Sequence, residues 1–107
     1  MIYKFKSKSA GDVIMMGPSG DHVLGIIGKS PSPKGIIEPA AMPAAIAALE
    51  RAIADEEQAR QQAEAQAQAE GKKLPASDAV SLRQRAWPLV EMMRRAHAEG
   101  KEVVWGV

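Results

Sequence analysis

The stretch IYKFKSKSAGDVIMMG, residues 2–17, decides the fold because it predicts two adjacent strands at the start of the chain. Tyr3 and Phe5 fall on one face and lysines alternate with them on the other, which is the period of two of a half-buried strand. The turn residues SAGD (9–12) follow, and the apolar run DVIMMG (12–17) predicts a second strand. We therefore expect a hairpin here.

The opposite end of the chain, EVVWGV (102–107), also predicts a strand. A strand this apolar needs a neighbour in a sheet, and the hairpin is the simplest one. We therefore expect the two ends of the chain to share one sheet.

Between the strands, GPSGDHVLGIIGKS (17–30) fits either a short helix capped by Ser19 or Asp21 or a second hairpin arm. The helix is the favoured interpretation for residues 19–28. SPSPKG (30–35) then predicts an irregular, proline-rich connector.

The clearest helix is PAAMPAAIAALERAIADEEQARQQAEAQAQAE (39–70), with two prolines in its first turn, where proline costs no hydrogen bond. Its apolar stripe comprises Met42, Ile46, Leu49 and Ile53. Residues 54–73 contain no large apolar side chain, so they predict a projecting or mobile Ala/Gln-rich helix arm and turn.

A second long helix is predicted in PASDAVSLRQRAWPLVEMMRRAHAEG (75–100), with Ser77 or Asp78 as its cap and Gly100 as its end. Pro88 must kink or split it. Its apolar face comprises Leu82, Ala86, Leu89, Val90 and Met93. The predicted fold class is α+β: a single domain over residues 1–107, in which a small sheet, formed by the N-terminal hairpin and the C-terminal strand, packs against a long antiparallel helix pair plus one short helix.

Composition limits the classes of protein. The net charge is +1, with +2 over residues 1–39, −4 over 40–70 and +3 over 71–107, which weakly favours self-association or a partner of opposite charge. The chain has no cysteine, so disulfides and thiolate metal sites are excluded. No apolar run approaches a membrane span or the hydrophobic core of a signal peptide, so we expect a cytoplasmic protein without membrane contact.

The motif LGIIGKS (24–30) resembles a phosphate-binding loop, but Val23 stands where that loop needs its first glycine. A GxxG clamp for RNA is disfavoured because its middle residues are two isoleucines. We interpret the motif as a helix stop with Gly28 near the C-cap.

The GPSG turn could hold an anion at a helix N-terminus through Gly17, Ser19 and Gly20, or be a plain turn.

A third candidate is the stripe Arg83, Trp87, Glu91 and Arg94, which share one helix face if the helix continues through Pro88. An aromatic ring between arginines can stack a nucleobase, and it is also typical of a core margin, which we favour.

The two histidines, His22 and His97, are too far apart for a local metal motif, and His97 is expected to be partly buried. No catalytic residue, metal or cofactor is predicted.

Three blocks carry a family resemblance: YKFKSKSAGDVIMMGPSGD, KGIIEPAAMPAAIAALE and LRQRAWPLVEMMRRAHAEGKEVVWGV. They resemble the small bacterial proteins grouped as domain of unknown function 1840, over essentially the whole chain. The resemblance implies a single cytosolic bacterial domain and assigns no activity, ligand or functional residue.

The expected function is a non-catalytic protein-interaction or regulatory module, with an unknown protein partner or a second copy engaging the projecting arm. One alternative is a weak nucleic-acid binder through the basic C-terminal helix, although nucleic acid is not the expected partner. Another is a small anionic-ligand binder at the GPSG turn.

Overall fold

The computed structural model describes residues 2–72 and 81–106 and shows the predicted α+β architecture. These residues form four strands and three α-helices. They are β1 (Ile2–Ser7), β2 (Ala10–Met16), α1 (Gly17–Ile26), β3 (Gly35–Ile37), α2 (Met42–Ala69), α3 (Leu82–Ala98) and β4 (Val103–Trp105), with a short 3-10 turn at Pro39–Ala41 before α2.

The sheet is antiparallel, with strand order β2-β1-β4-β3. β1 lies between β2 and the last strand, and Phe5 is directly opposite Trp105. The prediction that both ends of the chain share one sheet is therefore confirmed. The pairing places the aromatic residues of β1 and β4 on the same face, toward the helices.

The core lies between this face and the helices. Tyr3, Phe5 and Trp105 are all nearly inaccessible, and their rings form a row with centroid separations of 6.0 and 5.8 Å. All five predicted apolar residues of α3 are buried, as are three of the four in the α2 stripe; Ile46 is half-buried against the core. The two predicted helix faces are thus confirmed.

The start of the chain differs from the sequence interpretation at two boundaries. The hairpin turn lies at residues 8–9, because β2 already begins at Ala10. α1 begins directly at Gly17 with Met16 as its N-cap and no side-chain cap. The choice of a helix was right, but Ser19 and Asp21 lie inside it and neither caps it.

β3 was not predicted from the sequence. Its three residues pair with β4, and Gly35 lies under the Trp105 indole so closely that a Cβ there would overlap the ring. The indole nitrogen donates a hydrogen bond to the Ser32 carbonyl at 3.0 Å. Trp105 thereby holds the proline-rich connector against the sheet edge.

α2 continues as one helix through Ala69, and residues 54–66 are all exposed. At 1.5 Å per residue its 28 residues span roughly 40 Å, and the longest dimension of the molecule is 51 Å. Ala67 is buried although its neighbours are exposed.

α3 is also one helix: Pro88 lies inside it and does not split it. Ser81 is its N-cap, with a capping box to Gln84. The predicted caps Ser77 and Asp78 lie outside the described residues. Gly100 ends the helix at φ 66°, where the Lys101 amide bonds the Ala96 carbonyl at 2.8 Å, as predicted.

Candidate functional site

The structure brings the predicted stripe of α3 together around Trp87. The guanidinium carbons of Arg83 and Arg94 lie 5.5 and 5.1 Å from the centroid of the indole. Both distances are within the range of cation–π attraction. The helix therefore continues through Pro88 with the spacing that aligns these three side chains.

Both arginines are engaged by carboxylates of α2. Arg83 holds Glu57 with two nitrogens, at 2.6 Å from Nε to Oε1 and 3.3 Å from Nη2 to Oε2. Arg94 lies 3.1 Å from Glu50 and 3.0 Å from Glu91. The pairs with Glu57 and Glu50 join α2 to α3, whereas Glu91 belongs to α3 itself. All three carboxylates occupy the cations that a phosphate would need.

The bidentate pair changes the acidity of both partners. The hydrogen bond from Arg83 holds the pKa of Glu57 below its usual value of 4.5, and the same bond raises the pKa of Arg83. Both side chains are about half exposed, so solvent screens the attraction. The pair is therefore a solvent-exposed ion pair that connects α2 and α3.

A further carboxylate of α2 contacts the start of α3. Glu56 accepts a hydrogen bond from the Leu82 amide at 3.0 Å, while the Ser81 side chain accepts one from the Gln84 amide. Two of the unpaired N–H groups at this helix terminus are thereby satisfied. Glu56 and Glu57 of α2 thus together fix the start of α3 to α2.

The GPSG residues form the first turn of α1. Gly17 and Gly20 are buried and Ser19 is half-buried. A Cβ on Gly20 would overlap the Tyr3 ring, so this glycine allows the helix to lie directly on β1. Packing against Tyr3 therefore explains why residue 20 is a glycine. Among the described residues, no hydrogen bond or ion pair connects this turn to Arg83, Trp87 or Arg94.

The Tyr3 hydroxyl reaches the edge of the same helix and donates a hydrogen bond to Asp21. That bond raises the pKa of Tyr3 above its usual value of 10.0, with burial contributing in the same direction. The pair ties α1 to β1 and holds the hydroxyl proton firmly at neutral pH.

The LGIIGKS motif is a helix stop, as predicted. Gly28 has a φ of 83°, and the Lys29 amide donates to the Leu24 carbonyl at 2.8 Å. The two isoleucines are half-buried against the core. They are therefore unavailable as a nucleic-acid clamp.

The histidines are both exposed, so the expectation of a partly buried His97 was wrong. His97 lies in the last turn of α3, just beyond the buried face that ends at Ala96. Across residues 2–72 and 81–106, no group of three or more histidine, aspartate or glutamate side chains is placed to hold a metal ion. None of the helices described there is long and apolar enough to cross a membrane.

Sequence reasoning missed the outer face of the sheet, which points away from the helices. Ile2, Ile14 and Met16 are 61, 64 and 65 % exposed. Ile2 is directly opposite Met16, and Ile14 is the next outward residue of β2, so the three are contiguous. Ile36 is 42 % exposed on β3, opposite Val104. We call these residues with Val104 the outer apolar face.

Lysines lie between the two apolar parts of this face. Lys4 pairs with Asp12 at 3.6 Å, whereas the Lys6 side chain has no ion pair or hydrogen bond to any described residue. Lys6 also borders a shallow depression of about 300 Å³. The remaining lining residues of the depression are Ser7, Lys8, Asp12, Glu102 and Val104. The alternation along β1 could have revealed this face, because Ile2 has the same parity as the exposed lysines.

These features define a class: a small α+β protein whose antiparallel sheet is backed by helices on one side and left uncovered on the other by the described part of the chain. The chain belongs to the family described as Domain of unknown function (DUF1840), which matches residues 1–105 and confirms the resemblance. No curated protein and no solved structure matches it.

Proposed function

We propose that this protein is a non-catalytic protein-interaction module that binds its partner through the outer apolar face. One observation carries the proposal: all four large hydrophobic side chains exposed among the described residues lie on that one face. Fully burying one such side chain contributes about 1.5–3 kcal/mol, and contiguous exposed apolar groups mark interaction surfaces.

The lysines of this face determine the chemistry of the partner. Asp12 is already paired with Lys4, and the Lys6 side chain forms no ion pair with a described residue, so Lys6 can meet a charge of the partner between the two apolar parts of the face. A complementary surface carries apolar groups with a carboxylate between them. The partner is therefore an apolar protein surface that presents an aspartate or glutamate.

Nucleic acid fits this surface poorly. Binding of single strands depends on aromatic side chains that stack bases, and the outer apolar face has none. Tyr3, Phe5 and Trp105 are buried on the other side of the sheet. Trp87 is half-buried between arginines that carboxylates already hold. A protein partner is the better match.

The experiment compares wild-type protein with the variant Ile14→Asp, both tagged and purified from the native host. Ile14 is exposed, so the variant should keep its fold, which circular dichroism checks. Gln61→Asp, on the exposed surface of α2, is a control with the same change in charge. We expect one host protein to co-purify with wild type and with Gln61→Asp but not with Ile14→Asp. The binding of this host protein to each of the three purified variants is then measured directly by calorimetry.

Self-association is measured in the same series by sedimentation of the three purified proteins. A partner set that is identical for wild type and Ile14→Asp would contradict the proposal. So would calorimetry in which the recovered protein binds both equally well.

A further inference from the structure

We propose that the free edge of β2 takes up an extended segment of a partner protein as a fifth strand, beside a groove formed with α3. The inference rests on the proposed interaction role and specifies how the partner engages. It concerns the strand edge and the groove, which are distinct from the side chains of the outer apolar face.

β2 is the exposed edge of the sheet. It has seven residues and, within residues 2–72 and 81–106, a neighbouring strand on only one side, whereas the other edge strand, β3, has three residues. Its sequence, AGDVIMM, contains no proline or lysine, two of the residues that protect an edge from pairing, although the pairing of β2 with β1 is irregular between Ala10 and Val13 and Asp12 lies there. The regular part of the edge, Val13–Met16, offers its backbone groups to another strand.

A groove of about 260 Å³ follows this edge. Ala10, Gly11 and Val13 of β2 form one wall, and the other comes from α3. A Cβ added to Gly11 would meet no atom within 4 Å, so the groove is open at this residue. An extended chain can approach the strand closely there.

The α3 wall combines apolar and charged groups. Pro88 and Met92 line it together with Glu91 and Arg95. Glu91 is paired with Arg94, but Arg95 is exposed and its side chain has no ion pair or hydrogen bond to a described residue. The groove therefore presents one uncompensated positive charge beside an apolar surface, which is complementary to a carboxylate.

The added strand would alternate its side chains between two environments. One set faces the groove, where an apolar residue packs near Val13 and Pro88 and a carboxylate reaches Arg95. The other set lies beside Ile14 and Met16 and extends the outer apolar face. The ligand is thus an extended, acidic and apolar peptide segment, held by main-chain hydrogen bonds as in other cases of strand addition.

The test selects twelve-residue peptides from a random displayed library against the full chain. The winning peptide is then synthesised and its Kd is measured by fluorescence polarisation. We expect apolar residues at alternating positions with an aspartate or glutamate. Arg95→Glu should weaken binding about tenfold or more. Arg51→Glu, an exposed change of equal charge on α2, should leave it unchanged.

N-methylation of the peptide tests strand addition directly. Methyl groups on the amides of one alternating set should abolish binding, and methyl groups on the other set should leave the Kd within about twofold, because only one set faces β2. The proposal of a fifth strand is contradicted if no peptide is enriched. It is also contradicted if neither Arg95→Glu nor methylation of either set of amides changes the Kd. A stable dimer in which a second copy occupies the β2 edge also contradicts it.

The two proposals fail separately. If Ile14→Asp loses a host partner while Arg95→Glu keeps it, the interaction role stands and strand addition is wrong. If neither variant loses any partner and no peptide is selected, both proposals are wrong.

Discussion

At the scale of single residues, glycines determine how closely the layers approach. Gly20 lies against the Tyr3 ring and Gly35 against Trp105. The sequence revealed Gly28 and Gly100 as helix ends, because a glycine after an apolar helix pattern has a local meaning. It could not reveal Gly20, because the need for a missing Cβ arises from a contact across 17 residues of chain.

Replacing Gly20 by alanine should destabilise the protein by about 1–3 kcal/mol, because the new methyl group overlaps the Tyr3 ring. Gly25→Ala, in the same helix, is the matched control: its Cβ meets nothing within 4 Å. It should stabilise by about 0.4–1 kcal/mol through the lower entropy of the unfolded chain. Urea denaturation of both variants measures this, and equal effects would refute the packing role of Gly20.

At the scale of elements, the sequence predicted the three α-helices and three of the four strands, and it missed β3. The apolar stripes of α2 and α3 repeat over several turns and identify their buried faces. β3 has only three residues after a proline-rich connector, and its pairing with β4 depends on Trp105. The run GII at Gly35–Ile37 does not by itself distinguish a strand from a loop, unlike the longer apolar run EVVWGV that predicts β4.

The contribution of the Glu57–Arg83 ion pair to the unfolding free energy should depend on pH. The pKa of Glu57 is lowered in the folded state, so its contribution is full above about pH 4.5 and is lost as the pH falls through the lowered pKa. The difference in unfolding free energy between wild type and Arg83→Gln should therefore shrink in acid. Urea denaturation at pH 7 and pH 3 measures it.

The control for this measurement is Arg60→Gln, which removes an exposed pair with Glu64 inside α2 alone. This pair spans no second element, so its removal should change stability less at pH 7. A constant difference between wild type and Arg83→Gln at both pH values would show that Glu57 does not contribute through its charge.

Pro88→Ala should raise the unfolding free energy by about 1–3 kcal/mol. Proline inside a helix removes a backbone donor and crowds the preceding turn, and Pro88 is exposed, so the core does not require it. Pro43→Ala should give no such gain, because Pro43 is in the first turn of α2. Thermal unfolding compares the two, and equal shifts would contradict this explanation. If replacing Pro88 stabilises the protein, this proline is not kept for stability. That result would agree with its position in the wall of the β2 groove.

At the scale of the whole molecule, the sheet separates a buried face from an exposed one. The candidates identified from the sequence were a tryptophan between two arginines and a glycine-rich turn, whereas the surface favoured by the structure is an apolar face of the sheet without aromatic side chains. An apolar run such as VIMM does not indicate which face lacks a covering layer. That depends on all three helices lying on the same side.

The neighbouring methionines of β2 test this separation within one strand. Met15 is 5 % exposed and Met16 is 65 % exposed. Met15→Ala should cost about 2–5 kcal/mol of unfolding free energy, and Met16→Ala no more than about 0.5 kcal/mol. Similar losses from both variants would mean that the two faces of β2 are not distinct.

The most direct test of the account measures solvent access to the methyl groups of the free protein. A soluble paramagnetic gadolinium chelate is added to methyl-labelled protein at low concentration, and signal broadening is recorded by NMR. The account predicts strong broadening of Ile2, Ile14 and Met16 and little broadening of Ile37 and Met93, which are fully buried. If Ile14 and Met16 were as protected as Met93, the open outer face would be disproved, and the proposed interaction surface with it.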